Sequence, residues 1–421
     1  MARRLRIAFV YDALYPYVIG GAERRYHELA KRLAMDHEVH RYSWSYWRHG
    51  DPRPTPGVRY HGVGRPLRFY GSDGRRRIAE ALAFALRLAP RLAGAQLDVI
   101  DCASMPYFPA LTAQICARAN GAALVVTWHE YWEGYWRRYL GGLAPAGAAV
   151  ERLSTLAGDL QVAVSPYTAR KLRASALGEV PIAVVPNGVD LEVLGAIQPA
   201  PQPCDVVSLG RLIREKRVDL LLRALALLLP RYPELRCTVI GEGPVRAELE
   251  RLAAELHLEE HLTFTGFLEE RAALRTLKAG SVCVLPSERE GFGMVVLESQ
   301  AMGVPPVVAE SPESAATDLV EDGRTGLVCS ASPPELAAAI DRLLASPRLR
   351  EALAANACEE ARSYSWDSIA SRMEALYRAA VRRKRDGHSI QALPRYRGGE
   401  QAATPLSSGA AARRQAAGPG L

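Results

Sequence analysis

Two glutamates, Glu290 and Glu298, bracket a glycine-rich stretch, Gly291-Phe292-Gly293-Met294, that follows an apolar run from Ser281 to Leu285. A helical pattern opens at about Gly293. Glu290 is therefore expected on the tip of a strand-to-helix loop, and Glu298 just over one turn inside the helix, at about 3.6 residues per turn. Free backbone amides at a helix N-terminus favour a phosphate or a developing negative charge. Ionised carboxylates accept hydrogen bonds from the hydroxyls of a ribose or a sugar. Together they fit a sugar carried on a diphosphate. An ordinary helix start, with acidic residues favouring the dipole, would leave the same trace, so the segment needs company.

Four further loops supply it, each after a predicted strand. Tyr17-Val18-Ile19-Gly20-Gly21-Ala22-Glu23-Arg24 places paired glycines before a helix, where backbone can approach a ligand closely. His129-Glu130 follows the strand ending at Trp128. A lone histidine there could equally be a structural residue. Gly210-Arg211-Leu212-Ile213-Arg214-Glu215-Lys216 offers a guanidinium fork and an ammonium point charge, a suitable pair for a diphosphate; a solvated charge run is the plain alternative. Gly241-Glu242-Gly243-Pro244 is another tight turn into a helix.

The elements that must position these loops alternate strand and helix. In the first half, strands are expected at 5–11, 38–43, 97–101, 123–128, 160–164 and 180–185. Helices are expected at 23–34 and after Ser165, which caps a helix with Pro166 in its first position. Pro186-Asn187-Gly188-Val189-Asp190 and the proline-rich 198–203 interrupt the series. It restarts with strands at 206–209, 237–240, 262–264, 282–285 and 307–309 and helices from 219, 245, 269 and 293. Helical patterning then runs from Pro333 to about Arg382. Such alternation predicts two doubly wound, Rossmann-like α/β domains facing across a cleft, with ligands beyond the carboxyl ends of the strands. The expected division is 1–198 and 199–365, with a helix at 366–384 returning to the first domain and a disordered tail at 386–421. At 421 residues two domains are also the simplest count.

Composition excludes several classes. With 48% apolar and 24% charged residues the chain reads as an ordinary globular protein. The seven cysteines are scattered without a C-x-x-C, as small buried hydrophobes would be in a reducing, cytoplasmic setting. The basic start is too short in its apolar run for a signal peptide, and no apolar stretch reaches the ~18–20 residues of a membrane span. The net charge of +7 is concentrated: 41–91 holds eleven arginines against Asp51, Asp73 and Glu80, interleaved with aromatic residues. Arg75-Arg76-Arg77 then opens a helix-like run, Ile78 to Leu92, with apolar residues all round except Glu80, Arg87 and Arg91. Such a segment suits anionic lipid headgroups or an acidic acceptor, giving a protein peripheral at the inner face of the membrane. A genome that simply prefers arginine would also produce it. No nucleic-acid module accompanies the charge, so nucleic acid is not expected as a partner.

In this order the motifs resemble the large family of retaining, GT-B-fold glycosyltransferases that use nucleotide sugars, family 4 in the usual grouping. The resemblance runs from about Leu5 to about Arg378. It is carried by Gly20-Gly21-Ala22-Glu23, His129-Glu130, Pro186 to Asp190, Gly210-Arg211 with Glu215-Lys216, Gly241 to Pro244, the Glu290–Glu298 pair, and Ser365-Trp366-Asp367. It implies that Arg211 and Lys216, after Gly210, hold the donor diphosphate and that Glu298 takes the ribose hydroxyls. Glu290 would contact the donor sugar, with the amides of Gly291, Phe292, Gly293 and Met294 on sugar and phosphate. His129 would face the sugar from the other domain, and Gly20 and Gly21 would approach the phosphate. Asn187 and Gly241 join the substrate-binding set by the same resemblance. His129 and Glu290 are the expected catalytic residues.

The expected reaction is transfer of a sugar from a UDP or GDP sugar to a hydroxyl acceptor, lipid-linked or on a glycoconjugate such as a cell-envelope polysaccharide, with retention. No cofactor or obligatory metal is expected: no two aspartates are separated by a single residue, so protein cations would replace a metal. The family's usual Gly-Gly pair after Ala309 is replaced by Ser314-Ala315, with Asp318 where an acidic residue is usual, and Pro305-Pro306 is unusual. A nucleotide-sugar epimerase, a phosphorylase of the same architecture, or a non-catalytic donor-binding subunit are the competing readings.

Overall fold

The computed structural model describes residues 3–47, 55–69 and 76–386. The first sheet contains β1 (Arg6–Val10), β2 (Glu38–Ser43), β3 (Val58–Gly62), β4 (Val99–Ala103), β5 (Ala123–Trp128), β6 (Leu160–Ala163) and β7 (Ile182–Val184). They lie in the order β3-β2-β1-β4-β5-β6-β7, every pair parallel. The second sheet contains β8 (Cys204–Leu209), β9 (Cys237–Ile240), β10 (Leu262–Gly266) and β11 (Gly280–Leu285). A short strand β12 (Arg289–Glu290) precedes β13 (Pro306–Ala309); a second, β14 (Glu313–Ser314), precedes β15 (Leu327–Cys329). The six long strands run β10-β9-β8-β11-β13-β15, again all parallel, while β12 pairs with β14 alone. Both sheets reverse direction of winding beside their first strand, which opens a crevice at the carboxyl ends of β1/β4 and of β8/β11.

Helices cover both faces, as parallel sheets require because their strands are apolar on both sides. They are α1 (Gly21–Leu33), α2 (Ile78–Ala93), α3 (Phe108–Asn120), α4 (Trp136–Leu140), α5 (Ala144–Ser154), α6 (Pro166–Ser175) and α7 (Leu191–Ala196) in the first half. The second half adds α8 (Val218–Leu228), α9 (Arg246–Glu255), α10 (Glu270–Lys278), α11 (Met294–Ala301), α12 (Pro333–Leu344), α13 (Pro347–Ala361) and α14 (Trp366–Asp386). On β1, Phe9 faces a core with Tyr26 of α1 and Met373 and Tyr377 of α14, whereas Ala8 and Val10 face Phe84, Leu88 and Ala113 of α2 and α3. The second domain repeats the arrangement with α8, α9 and α12 on one face and α7, α10 and α11 on the other.

The chain crosses between domains twice, and the crossings lie side by side. Val189 N donates to Tyr364 O at 2.9 Å and Trp366 N donates to Val189 O at 3.2 Å. A Cβ on Gly188 would stand 2.8 Å from the Trp366 ring, so only glycine fits between the strands of this hinge. The division falls earlier than residue 198. Val189, Leu194 and Ile197 pack in the second domain's core, because the short α7 buries its apolar side against α11. The helical patterning over 333–382 resolves into three helices, each of the last two started by a fresh cap or turn; Ser346 Oγ, for example, accepts from Leu349 N.

The helix expected at 78–92 does carry apolar residues on all sides, on its buried and its solvent-facing sides alike. Ala81, Phe84, Leu88 and Leu92 are buried, whereas Ile78, Leu82 and Leu86 are exposed at 47%, 41% and 75%. All seven cysteines are free. Among the described residues no helix is long and apolar enough to cross a membrane. Of the tail expected to be disordered, Asp386 ends α14 and the rest lies outside the described residues, as does Arg75.

Candidate functional site

The second domain contributes one wall of the cleft. Gly210 follows β8, and Arg211 and Lys216 line a shallow crevice with Ser208, Pro286 and Ser287. Arg211 is exposed and Lys216 half-buried. The crevice is possible because two neighbouring turns are stripped of side chains: a Cβ on Gly241 would overlap Gly210 O, and one on Gly243 would overlap Leu212 O. Gly241 is thus a packing glycine beneath the loop, and its close approach is to backbone rather than to the open cleft.

Glu290 and Glu298 sit where the loop-to-helix reading puts them. Gly293, at φ +100°, turns the loop into α11, a conformation glycine adopts without the Cβ cost. Glu290 pairs with Lys216 and accepts from Ser287 Oγ at 3.3 Å. Its carbonyl accepts from Ala315 N at 2.8 Å. The Ser314-Ala315 segment therefore still forms the far wall, through β12–β14 pairing and the amides of residues 315 and 316. Phe292 is 6% exposed and packs in the core beneath α11, so its side chain supports the loop.

The first domain closes over this wall. A Cβ on Gly291 would overlap His129 O, and one on Gly21 would come within 3.3 Å of Met294. Gly20 is the extended residue before α1, packed against its own first-turn Glu23. Ser165, whose hydroxyl caps α6, also donates to Gly291 O at 3.0 Å. Asp318 accepts from Tyr167 N at 2.9 Å. Arg289 pairs with Glu130 at 2.5 Å and stacks 3.6 Å from the Tyr135 ring centroid, while Tyr135 Oη donates to Glu215 at 2.8 Å. Arg24 reaches from α1 to Glu298 at 2.5 Å and to Glu270. Cleft carboxylates are thus matched by cations, several of them from the opposite domain.

His129 lies at the carboxyl end of β5 with its edge toward the Tyr26 ring, 5.9 Å between centroids. Its Nε2 is buried without a hydrogen-bond partner. Burial, reinforced by nearby Arg25, pushes its pKa down to about 3, so the imidazole is neutral near pH 7 and can donate or accept but not act as an acid of ordinary strength. Burial pushes the Glu298 carboxyl up and the Arg24 guanidinium pulls it back; Glu130 is raised by burial and lowered by Arg289. Asn187 is 3% exposed, and its side-chain oxygen accepts from Arg25 at 3.2 Å, which ties the hinge to α1.

The first domain's floor escaped sequence reading. Asp12, at the end of β1, is fully buried against Arg76, with Glu80 at the same guanidinium and Trp44 Nε1 donating to Glu80 at 2.5 Å. Tyr17, Tyr46 and Phe69 stack in series above it, at 5.4 and 6.4 Å. The triple arginine 75–77 is therefore not one surface patch: Arg76 is a half-buried ion-pair partner, and Arg77 is exposed. Arg24, Glu270, Arg289 and Tyr135 were also missed. Arg24 and Arg289 adjoin motif residues, which is the signal that could have found them. Among the described residues no group of three or more His, Cys, Asp or Glu side chains is gathered as a metal site would need.

Family comparisons match this geometry domain by domain. The model described as Glycosyltransferase Family 4 matches residues 19–193, and that described as Glycosyl transferases group 1 matches residues 196–360. The chain belongs to the family 4, group 1 glycosyltransferases. Curated relatives of this family include an alpha-D-kanosaminyltransferase of Streptomyces kanamyceticus, 35% identical over 41% of this chain and 45% of its own. A D-inositol 3-phosphate glycosyltransferase of Thermomonospora curvata is 36% identical over 42% of each chain. The chain thus spans under half the length of these two relatives. Solved structures share the fold over nearly the whole glycosyltransferase body. The sucrose-phosphate synthase of Thermosynechococcus elongatus aligns with a TM-score of 0.75 at 22% identity, covering 89% of this chain and 98% of that one. Anabaena HepE, solved in complex with UDP and glucose, aligns at 0.70 and 19% identity, covering 89% and 100%. The fold is GT-B: two parallel α/β domains across a cleft.

Proposed function

We propose that this glycosyltransferase moves a sugar from a nucleoside diphosphate sugar to a hydroxyl acceptor, with retention, in the cleft between its two domains. The observation that carries the reading is the convergence of Glu290, Glu298, Lys216 and Arg211 on one wall. Against it the other domain closes at Gly291 and His129. Lys216, Arg211 and the amides at the start of α11 suit the leaving diphosphate, whose charge grows as the anomeric bond breaks. Glu298 suits the ribose, and Glu290, held by Lys216, suits the sugar hydroxyls. The neutral His129, with its unpartnered buried Nε2, would take a sugar hydroxyl from the other side. Closure excludes water, the competing acceptor. Glu290 is read as a positioning group, since Lys216 and Ser287 already engage its carboxylate, rather than as a covalent nucleophile.

The first domain is the acceptor side in this reading. A UDP or GDP donor, an envelope glycoconjugate or lipid-linked acceptor, and work without an obligatory metal complete it. The exposed Ile78, Leu82 and Leu86, one helical turn apart and flanked by exposed Arg77, Arg87 and Arg91, support contact with an anionic membrane surface. The direct experiment screens nucleoside diphosphate sugars for thermal stabilisation, where a ligand at about 100 times its dissociation constant adds about 2.7 kcal/mol. The stabilising donor is then incubated with hydroxyl acceptors. Acceptor-dependent release of nucleoside diphosphate, with an axial-to-axial or equatorial-to-equatorial outcome by NMR, is expected. Conversion of the donor without acceptor, or stabilisation by no donor, would contradict the proposal.

A further inference from the structure

Arg24 stands in the first domain, on the first turn of α1, three residues after Gly21, yet both of its partners belong to the second. One guanidinium nitrogen donates to Glu298 Oε1 at 2.5 Å and another pairs with Glu270 at the start of α10. Glu270 is held a second time from the first domain, by Tyr15 Oη at 2.8 Å. Tyr15 in turn packs against the ring of His27, 4.7 Å between centroids. The Arg24 side chain is 18% exposed and that of Glu298 only 9%. Among the described residues Glu298 Oε2 makes no hydrogen bond, so one oxygen is committed to Arg24 and one is left for a ligand.

A carboxylate this deeply buried is costly to keep ionised without a partner. Only the ionised form offers lone pairs on both oxygens to a diol. Arg24 is the partner, and it comes from the other domain. We propose that Arg24 is a positioning residue that completes the ribose site, so that the nucleoside's diol is held firmly only by the closed protein. This rests on the nucleotide-sugar reading above and extends it. The donor pocket's carboxylate is in the second domain, but the cation that orients it is supplied by the first. Glu270 and Tyr15 form the outer anchor that fixes where the guanidinium stands.

Titration calorimetry with UDP and with GDP tests this on the full chain, using whichever binds wild type. Arg24→Ala should weaken binding about 10- to 100-fold, the range of a charge-assisted contact. Arg24→Lys should recover part of it, and Glu270→Gln should cost less than Arg24→Ala. In the Glu298→Gln background Arg24→Ala should have no further effect, a coupling that a merely structural arginine would not show. Unfolding midpoints confirm that each variant is folded. If Glu298→Gln is impaired while Arg24→Ala binds like wild type, or binds more tightly, the inference fails and the donor-site reading stands. If Glu298→Gln itself binds like wild type, the donor-site reading fails and takes the inference with it.

Discussion

The two walls of the cleft are built by different means. The second domain's wall is made of a few tight turns and is mostly backbone: Gly210, Gly241 and Gly291–Gly293 turn tightly, and Arg211, Lys216, Glu290 and Glu298 hang from or beside those turns. The first domain's wall is side chains gathered from distant loops. Asp12, Tyr46, Phe69, Arg76 and Glu80 form a buried ion pair beneath stacked rings, and Trp132, Tyr135 and Tyr139 form an aromatic cluster around Arg289. A wall of turns and fixed charges suits a part of the substrate that many enzymes share, such as a diphosphate. A wall of packed side chains is free to differ from one acceptor to the next. That contrast can be tested on both sides.

The largest effect is expected at Glu290. If it positions the donor sugar, Glu290→Gln should lower turnover on the order of 10²-fold, the scale for a misplaced reacting group, while free nucleoside diphosphate still binds. Loss of nucleotide binding to the same degree would erase the distinction between the sugar and nucleotide parts of the wall. Next comes the opposite wall's histidine. His129 has a folded pKa of about 3 against 6.5 for the ordinary group, so the unfolded chain takes up its proton first as pH falls. Stability tied to this residue is intact above about pH 6.5 and is lost progressively down to about pH 3. Between pH 7 and pH 5 that is up to about 2 kcal/mol at 1.36 kcal/mol per unit. Urea midpoints of wild type and His129→Phe at the two pH values measure it, and comparing the two proteins cancels the opposite trend from Glu80, which burial raises to about 7. Equal falls in both proteins would mean that His129 is charged or exposed.

A smaller effect is expected where the walls meet. Gly291→Ala places a methyl group against His129 O, and an overpacking cost of ~1–3 kcal/mol falls on the closed state alone. Catalytic efficiency should drop roughly tenfold with the unfolding midpoint unchanged. An unaffected rate would show that the cleft works without closing at this point. The smallest effect belongs to the outer face of α2. Basic residues near an anionic surface contribute about 1 kcal/mol each. Flotation with anionic liposomes at low salt should carry wild type, and Arg77→Gln with Arg91→Gln should reduce capture. No capture of wild type would leave these arginines as a solvated face.

The same contrast explains what could be read from the sequence. β5 and β9 were located to the residue because strands buried on both faces form unbroken apolar runs, ALVVTW and CTVI. β3 was missed because an edge strand reading VRYHG carries no such run. β15, three residues long, was also missed. In the candidate site, Glu290, Glu298, Arg211 and Lys216 were legible because just two segments, after β8 and after β11, hold them at set spacings. Arg24, Glu270 and the Asp12–Arg76 pair were not, since their meaning lies in contacts spanning from 64 to 274 positions. The Asn187–Arg25 contact was illegible for the converse reason: a turn that looks like a ligand loop also holds the hinge.

The most direct test of the donor wall is calorimetric titration of a nucleoside diphosphate into wild type, Arg211→Ala and Lys216→Ala. If these cations hold the diphosphate, each variant should lose ~1.5–3 kcal/mol of binding, about a 10- to 100-fold weaker dissociation constant, while remaining folded. Two folded variants that bind like wild type would contradict the assignment of this wall to the donor.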